Sequence, residues 1–422
     1  MADDRTFLIV GASMAGAQAA QQLRKDGFTG RIVLVGAETD RPYERPPLSK
    51  GYLLGQDPRE KAFIHDALWY GENDVELILG VTATAVDPAA HTVTVDNVDP
   101  LRYDKLLIAT GSRPRRLDVP GADNDGIRYL RTIEESDRLR DHLREGVQVL
   151  VIGAGWIGLE TAAAAREAGA SATIVEMDSL PLRRVLGDEL ATVFRDVHLA
   201  HGTTFHFGAG VREFGDTGGQ VSHAVLTDGT EVPADLVIVG VGIQPNVELA
   251  QAAGLEINNG VVADERLRTS DPDIYVAGDV ASFLHPMIGE RIRVEHWANA
   301  RYGGRAAASS MLGGEAPFDR VPYFFSDQYV SKPHIGMEYA GYVAPGGYDE
   351  VVFRGDPTVR PDANPKFLAF WLREGRVLAG MNVNIWDVQD DITALVKAGY
   401  SGTQVDRARL ADPDVPLASL LT

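Results

Sequence analysis

Five apolar runs that end in glycine punctuate the chain: "TFLIVG", "RIVLVG", "KLLIATG", "QVLVIG" and "DLVIVGVG". Continuous aliphatic runs of this length predict parallel strands covered on both faces, where an alternating pattern would predict half-exposed ones. Two of the runs lead into alanine-rich helical patterns, 15–27 and 158–169, which close on charged residues and stop at Gly27 and Gly169. Each helical pattern is followed by a strand, "RIVLVGAE" or "SATIVEMD". The same strand–helix–strand order thus occurs twice, and the predicted fold class is α/β with two doubly wound, Rossmann-like dinucleotide-binding domains. Between the two copies, "VTATAVDPAAHTVTVDN" alternates around Asp87-Pro88 and predicts an antiparallel hairpin. Past residue 320 the texture changes. "KFLAFWLREGRVLAGMNVN" (366–384) predicts a hairpin turning at Glu374-Gly375, and 321–422 is expected to form a C-terminal α+β interface domain.

A length of 422 residues suits two or three domains with sizeable cores. The formal net charge of −20 argues against a nucleic-acid partner, because neutralising phosphates is the main source of that affinity. Any anionic ligand must be held by local features. Cysteine is absent, which excludes disulfides, thiolate metal sites, cysteine nucleophiles and a redox-active cysteine pair. The start "MADDRTFLIVGAS" is acidic with a short apolar run, so it reads as neither signal peptide nor membrane span, and the expected location is the cytoplasm, with no membrane partner. "HLAH" places His198 and His201 on one helical face, with His206 following; lacking a carboxylate partner, they read as a helix end, and no metal is expected.

A strand-to-helix turn that grips pyrophosphate needs glycine for the tight turn, for close backbone approach and for helix packing. "GAGWIG" supplies Gly153, Gly155 and Gly158, and Glu176 ends the next strand, where a carboxylate can accept from a ribose diol. The first copy, "GASMAG", has Gly11 and Gly16 with Ser13 in the middle place, and Glu38 as its acid. A serine there must turn its side chain away from the phosphates. A serine-nucleophile elbow is disfavoured, because the fifth position is Ala15. Two nucleotide sites in one chain imply a hydride donor and a hydride acceptor, of which nicotinamide and flavin are the natural pair. Glu176 would repel a 2′-phosphate and favours NADH, although Arg183 or Arg184 could fold back and admit NADPH. In "RPYERPPLSK" (41–50), Pro42, Pro46 and Pro47 stiffen a loop carrying Arg45 and Lys50; alone it reads as a rigid surface connection with solvated charges.

Taken in order with "IATGSRPR", "VGVGIQPN", "IYVAGDVA", "EHWANA" and "FFSDQY", these stretches resemble the FAD-dependent pyridine nucleotide disulphide oxidoreductase superfamily, and within it the NADH:ferredoxin reductases coupled to oxygenases. The resemblance runs from Thr6 to about residue 400. It implies an FAD domain from 1–113 and 247–320, an NAD domain at 114–246 and a C-terminal domain at 321–422. FAD would be held by Gly11, Ser13, Ala15, Gly16 and Glu38, by Arg45 and Lys50 of the proline loop, and by Ala83. Ala109, Thr110 and Gly111 at the crossing between domains, then Gly278, Asp279, Val280 and Trp297, would complete that set. NAD would be held by Gly153, Gly155, Trp156, Ile157, Gly158, Glu160, Glu176 and Arg184, with Gly242 and Gln244 at the return crossing.

The implied activity takes a hydride from NADH onto FAD and passes single electrons to a [2Fe-2S] ferredoxin, which serves a cytochrome P450 or a Rieske oxygenase. Lys50, Glu160 and Trp297 would be the catalytic residues. A fixed cation suits the negative charge of reduced flavin, Glu160 would pair with it, and Trp297 would lie on the electron exit side. In "RIRVEHWANARYGGR" (291–305), Arg291, Arg293, Arg301 and Arg305 against one glutamate offer an acidic ferredoxin a docking patch, or else form an ordinary solvated face. Tyr302 departs from the glutamine common at that place in the family. Two alternatives remain: an NADH oxidase or quinone/dye reductase on the same scaffold, and an interaction flavoprotein of the apoptosis-inducing-factor type.

Overall fold

The computed structural model describes residues 3–330, 334–360, 363 and 365–421. By internal packing the chain divides into two units, one of residues 1–44, 59–113 and 244–322, the other of residues 45–58, 114–243 and 323–422.

The core of the first unit is a five-stranded parallel sheet in the order Ile274–Val276, Lys105–Ile108, Thr6–Val10, Arg31–Gly36, Val75–Leu79. The strands alternate in sequence with crossovers, so the sheet carries helices on its faces and its central strands read as continuous apolar runs. Phe7, Leu8 and Ile9 are fully buried on both sides of the central strand. Helix Met14–Lys25 follows that strand directly, and helix Trp297–Met311 packs against it. Gly304 permits the close crossing, since a Cβ there would lie 2.2 Å from the Ala15 carbonyl oxygen. The alternating segment forms Ala83–Asp87 and Thr92–Val95, paired antiparallel with Asp87 opposite Thr92, and Val98–Arg102 adds a third strand.

The second unit repeats the plan. Its parallel sheet runs Thr204–Phe207, Ser171–Glu176, Gln148–Ile152, Leu236–Val239, Ile127–Tyr129. Helix Trp156–Glu167 follows the central strand, and Arg183–Ala200 is broken by Gly187 at φ 81°. Residues 323–421 add an antiparallel sheet ordered Tyr323–Gln328, Ile335–Gly341, Arg376–Val383, Lys366–Arg373, Glu350–Asp356, with helix Gln389–Tyr400 against it. The hairpin turns at Glu374 and Gly375, both at positive φ (52° and 74°), as a two-residue turn with right-handed twist requires.

Strand Lys366–Arg373 is buried on both faces, so its sheet needs apolar cover on each side. One side is met by helix Gln389–Tyr400; elsewhere the apolar core runs on without a break into the 114–243 segment, where Trp156 meets Phe194 and Phe324 edge-on and the Trp371 indole donates to the Leu186 carbonyl at 3.0 Å. Among the described residues no helix is long and apolar enough to cross a membrane.

Candidate functional site

In the first unit the turn after the central strand leaves no room for side chains at two glycines. A Cβ on Gly11, at φ 125°, would lie 2.0 Å from the Ala109 carbonyl oxygen, and one on Gly16 would lie 2.1 Å from that of Gly11. Ser13 caps helix Met14–Lys25 in extended conformation, yet its hydroxyl makes no capping bond, so first-turn amides stay available to an anion. Ala15 is buried at the helix start. The second strand stops at Gly36, so Glu38 lies two residues beyond the strand end rather than on it, where it accepts from the Tyr43 hydroxyl. Ala83 opens the small antiparallel sheet.

Thr110 and Asn246 lock together, the Thr110 hydroxyl donating to the Asn246 carbonyl and the Asn246 amide to the Thr110 carbonyl, both at 2.8 Å. Gly111 beside them takes φ 64°. Gln244 lies against Arg113. Gly278, Asp279 and Val280 form a buried turn after strand Ile274–Val276, and Asp279 accepts from Ser112 at 2.7 Å.

Trp297 starts its helix next to half-buried His296, whose pKa is pushed down to about 4 by desolvation, with only partial relief from the Asp279 charge. Arg301 lies over the Trp297 ring at 4.8 Å. Glu44 belongs to the same group: burial raises its pKa against the opposing Arg301 charge and a Trp297 hydrogen bond.

Of the four arginines proposed for docking, Arg293 has a carboxylate partner, while Arg291 and Arg305 bond to neutral acceptors and keep their charge. Arg291 donates to the carbonyls of Ala263 and Ser282, at 2.7 and 2.5 Å. Arg293 is paired with Glu295, and Arg305 donates to Gln18 at 2.7 Å. Tyr302 has three cations around its ring, Arg320 at 3.6 Å from the centroid and Arg301 and Arg305 at 5.8 and 5.7 Å.

The second unit has the stricter nucleotide turn. Gly153 (φ 98°) would place a Cβ 2.5 Å from the Gly240 carbonyl oxygen, and Gly158 one 2.0 Å from that of Gly153. Gly155 is different. A Cβ on it meets no atom within 4 Å, although it caps helix Trp156–Glu167 with no side chain of its own. The protein's own packing does not require glycine there, whereas close approach of a pyrophosphate does, and the turn therefore fits an NAD phosphate.

Glu176 is aimed at the turn by two amides, Ala154 N–H at 2.7 Å and Asp178 N–H at 2.8 Å, one on each carboxylate oxygen. Asp178 has its pKa lowered by the Ser179 amide and by Arg183, and it engages both nearby cations, Arg183 at 3.1 Å and Arg184 at 3.6 Å. Trp156 is turned into the core, while Ile157 and Met177 (77% exposed) leave apolar surface beside the turn. The Gly242 carbonyl accepts from the Arg115 amide at 2.9 Å.

The proline loop also builds into this unit. Pro46–Ser49 forms a short 3-10 turn, pre-set by its two prolines. Arg45 donates to the Arg131 carbonyl, Ser136 donates to the Leu48 carbonyl at 2.8 Å, and buried Tyr52 donates to Asp137 at 2.6 Å. Lys50 is thereby delivered to Glu160 on the helix that follows the glycine turn. Its ammonium lies 2.7 Å from Glu160 Oε2, with side-chain exposures of 11% and 4%. Oε2 also accepts from Ser49 at 2.5 Å, and Oε1 from Ser326 at 2.6 Å. Sequence reasoning missed both serines; "FFSDQY" was noted only as a signpost, and nothing local to Ser326 announces a partner so remote in the chain. His198 and His201, read as a helix end, end helix Arg183–Ala200. Among the described residues no group of histidines, cysteines or carboxylates is arranged to hold a metal.

Two glycine turns of the dinucleotide-binding kind, each followed by an acid at or just past the next strand, and a buried ion pair on the helix of one of them fit a redox protein of the flavin-and-nicotinamide class. The chain belongs to the pyridine nucleotide-disulphide oxidoreductase family, which its residues 5–304 match, and residues 323–421 match the reductase C-terminal family. It is an oxidoreductase that uses FAD and NAD(H).

Similar proteins include the 5,5′-dehydrodivanillate O-demethylase ferredoxin reductase subunit of Sphingobium, 39% identical over 98% of this chain and 97% of the relative. The ferredoxin–NAD(+) reductase component of the anthranilate 1,2-dioxygenase system of Burkholderia cepacia is 37% identical over 98% and 99%. Among solved structures, the covalent putidaredoxin reductase–putidaredoxin complex aligns with a TM-score of 0.91 at 35% identity, over 99% of this chain and 98% of the other. The ferredoxin reductase for the CYP199A2 system of Rhodopseudomonas palustris aligns at 0.90 with 36% identity, over 99% of each.

Proposed function

We propose that the protein is an NADH-dependent ferredoxin reductase of the cytoplasm, which delivers electrons through a [2Fe-2S] ferredoxin to a cytochrome P450 or a Rieske oxygenase. The observation that carries this reading is the Lys50–Glu160 pair, buried together on the helix of an NAD-type turn, in a chain alike over its full length to ferredoxin reductases of oxygenase systems. The two cofactors supply the redox chemistry between them, two-electron uptake from the nicotinamide and one-electron release from the flavin. The protein's own task is to bind, orient and tune. Residues 1–113 and 247–320 serve FAD, 114–246 serve NADH, and 321–422 form the third domain.

On the FAD side the turn at Gly11, Ser13, Ala15 and Gly16 receives the phosphates, Glu38 the ribose, and Asp279 with the Val280 amide the ribitol and ring. Ala83, Arg45 and the 109–111 and 278 turns complete the contacts. Lys50 supplies a fixed positive charge to reduced flavin without reorganisation, because Glu160 already holds its ammonium. On the NADH side Gly153, Gly155, Trp156, Ile157 and Gly158 receive the pyrophosphate, Glu176 the ribose diol, and Gly242 with Gln244 the nicotinamide end. NADH is favoured over NADPH because Glu176 occupies the 2′ position and Asp178 engages both Arg183 and Arg184. Trp297, in contact with Arg301, serves the exit of electrons.

The test is direct. Protein reduced by one equivalent of NADH without oxygen, mixed with an oxidised [2Fe-2S] ferredoxin in a stopped-flow instrument, should bleach the ferredoxin as the flavin band returns. Return of the flavin band only on adding a quinone or oxygen would remove ferredoxin from the proposal.

A further inference from the structure

Glu160 is the end of a buried polar chain that reaches far past the ion pair. Ser326 donates to Glu160 Oε1 at 2.6 Å, and the Gln328 amide donates to Ser326 Oγ at 3.3 Å. Gln328 Oε1 meets His198 Nε2 at 2.8 Å, His198 Nδ1 meets the Tyr329 hydroxyl at 3.0 Å, and Thr203 closes the row 3.4 Å from that hydroxyl. Each of these residues is almost fully buried. Two elements supply the chain: one edge strand of the C-terminal sheet with the residue that follows it, and the end of helix Arg183–Ala200 with the turn after it.

An ionised carboxylate only accepts, and this fixes every hydrogen along the row. Ser326 must turn its O–H toward Glu160, so its oxygen accepts from the Gln328 N–H. The Gln328 oxygen then faces His198, whose Nε2 must carry the proton. Nδ1 is left as an acceptor, and Tyr329 donates to it. All donors therefore point toward Glu160, and each bond polarises the next in the same sense. The histidine takes part as a neutral ring in one tautomer, which agrees with its complete burial.

We infer that Ser326, backed by Gln328, His198 and Tyr329, is the positioning residue of the Lys50–Glu160 pair: it holds the carboxylate in one rotamer and thereby holds the Lys50 ammonium still. The inference rests on the proposed role of that pair. Ser49 and Lys50 both load Oε2, so Ser326 is the one side-chain donor on Oε1 among the described residues. Removing it frees the carboxylate to turn and leaves Ser49 and Lys50 competing for whichever oxygen remains in reach.

The experiment compares the FAD-loaded wild type with Glu160→Ala, Ser326→Ala, Ser326→Thr and Tyr329→Phe. One readout is the rate constant for flavin bleaching by NADH across NADH concentrations. The other is independent of turnover: competitive acylation of lysines followed by mass spectrometry, reporting how firmly Lys50 is held relative to surface lysines. Ser326→Ala should slow bleaching about tenfold at saturating NADH, the scale of one charge-assisted hydrogen bond, with the NADH Kd unchanged. Lys50 acylation should rise severalfold, Ser326→Thr should restore both values, and Tyr329→Phe should raise acylation less.

Unchanged bleaching and acylation in Ser326→Ala, beside a slow Glu160→Ala, would overturn the inference and spare the role of the pair. Wild-type bleaching in Glu160→Ala would overturn both. Should Ser326→Ala fail to fold, Tyr329→Phe decides, because wild-type Lys50 acylation there contradicts a chain that acts as one unit.

Discussion

Lys50 Nζ lies 2.7 Å from Glu160 Oε2, with the carboxylate only 4% exposed. Loop and helix, 110 residues apart in sequence, thus share one buried charge pair. Breaking such a pair by removing one partner leaves the other charge uncompensated, at a cost of about 3–5 kcal/mol. Glu160→Ala should accordingly lower the denaturation midpoint well beyond an ordinary surface change, and Lys50→Met added to it should recover most of the loss. A double variant no more stable than Glu160→Ala would show that the charge was not the source.

The two glycines that bracket the start of helix Trp156–Glu167 should separate stability from binding. Gly158→Ala drives a Cβ to 2.0 Å from the Gly153 carbonyl and should unfold or strongly destabilise the turn. Gly155→Ala meets nothing within 4 Å at φ −76°, so only the poorer helix cap costs stability, by about 1 kcal/mol at most. Its Kd for NADH should nevertheless rise severalfold. Fluorescence quenching by NADH checks the second value, and an unchanged Kd would move the pyrophosphate away from Gly155.

Glu176 should set the choice of nucleotide. Removing its carboxylate in Glu176→Ala eliminates both the diol acceptor and the repulsion of a 2′-phosphate, and frees the Ala154 and Asp178 amides that now bind it. The kcat/KM ratio of NADH to NADPH should fall by on the order of tenfold or more, the value of a hydrogen bond to a charged group. A ratio equal to that of wild type would assign selectivity elsewhere.

His198 gives stability a pH dependence with a definite sign. Burial pushes its pKa down from 6.5 to about 4, despite the favourable Gln328 bond, so the folded protein binds this proton less readily than the unfolded chain does. The stability held by the neutral ring is present above pH 6.5 and is lost as pH falls toward 4, at up to about 1.4 kcal/mol per pH unit. Urea midpoints between pH 7 and 4.5 should drop more steeply for wild type than for His198→Gln. Parallel slopes would mean that the ring is protonated in the native state.

Where the sequence was legible, the physics was local. The glycine turns, Glu176 at its strand end, the hairpin around Asp87 and the turn at Glu374-Gly375 each follow from a few neighbouring residues whose backbone demands are strong, whereas Glu38 falls two residues past its strand. The continuous apolar strands likewise announced parallel sheets. What escaped is the long-range partner. Ser326 and Ser49 look like any serine until the fold sets both on Glu160, and Gln328 cannot be matched to His198 by spacing. For the arginine cluster the sequence offers two readings, a docking patch or a solvated face; the fold gives Arg293 a carboxylate partner, and Arg291 and Arg305 neutral acceptors that leave their charges in place.

The most direct measurement of the proposed role is steady-state cytochrome c reduction by NADH, catalysed by the purified yellow protein with and without a bacterial [2Fe-2S] ferredoxin. A rate that depends on the ferredoxin and saturates with its concentration is the expected result. Equal rates with and without several such ferredoxins, while NADH still bleaches the flavin rapidly, would contradict it and point to a quinone or oxygen as the electron acceptor.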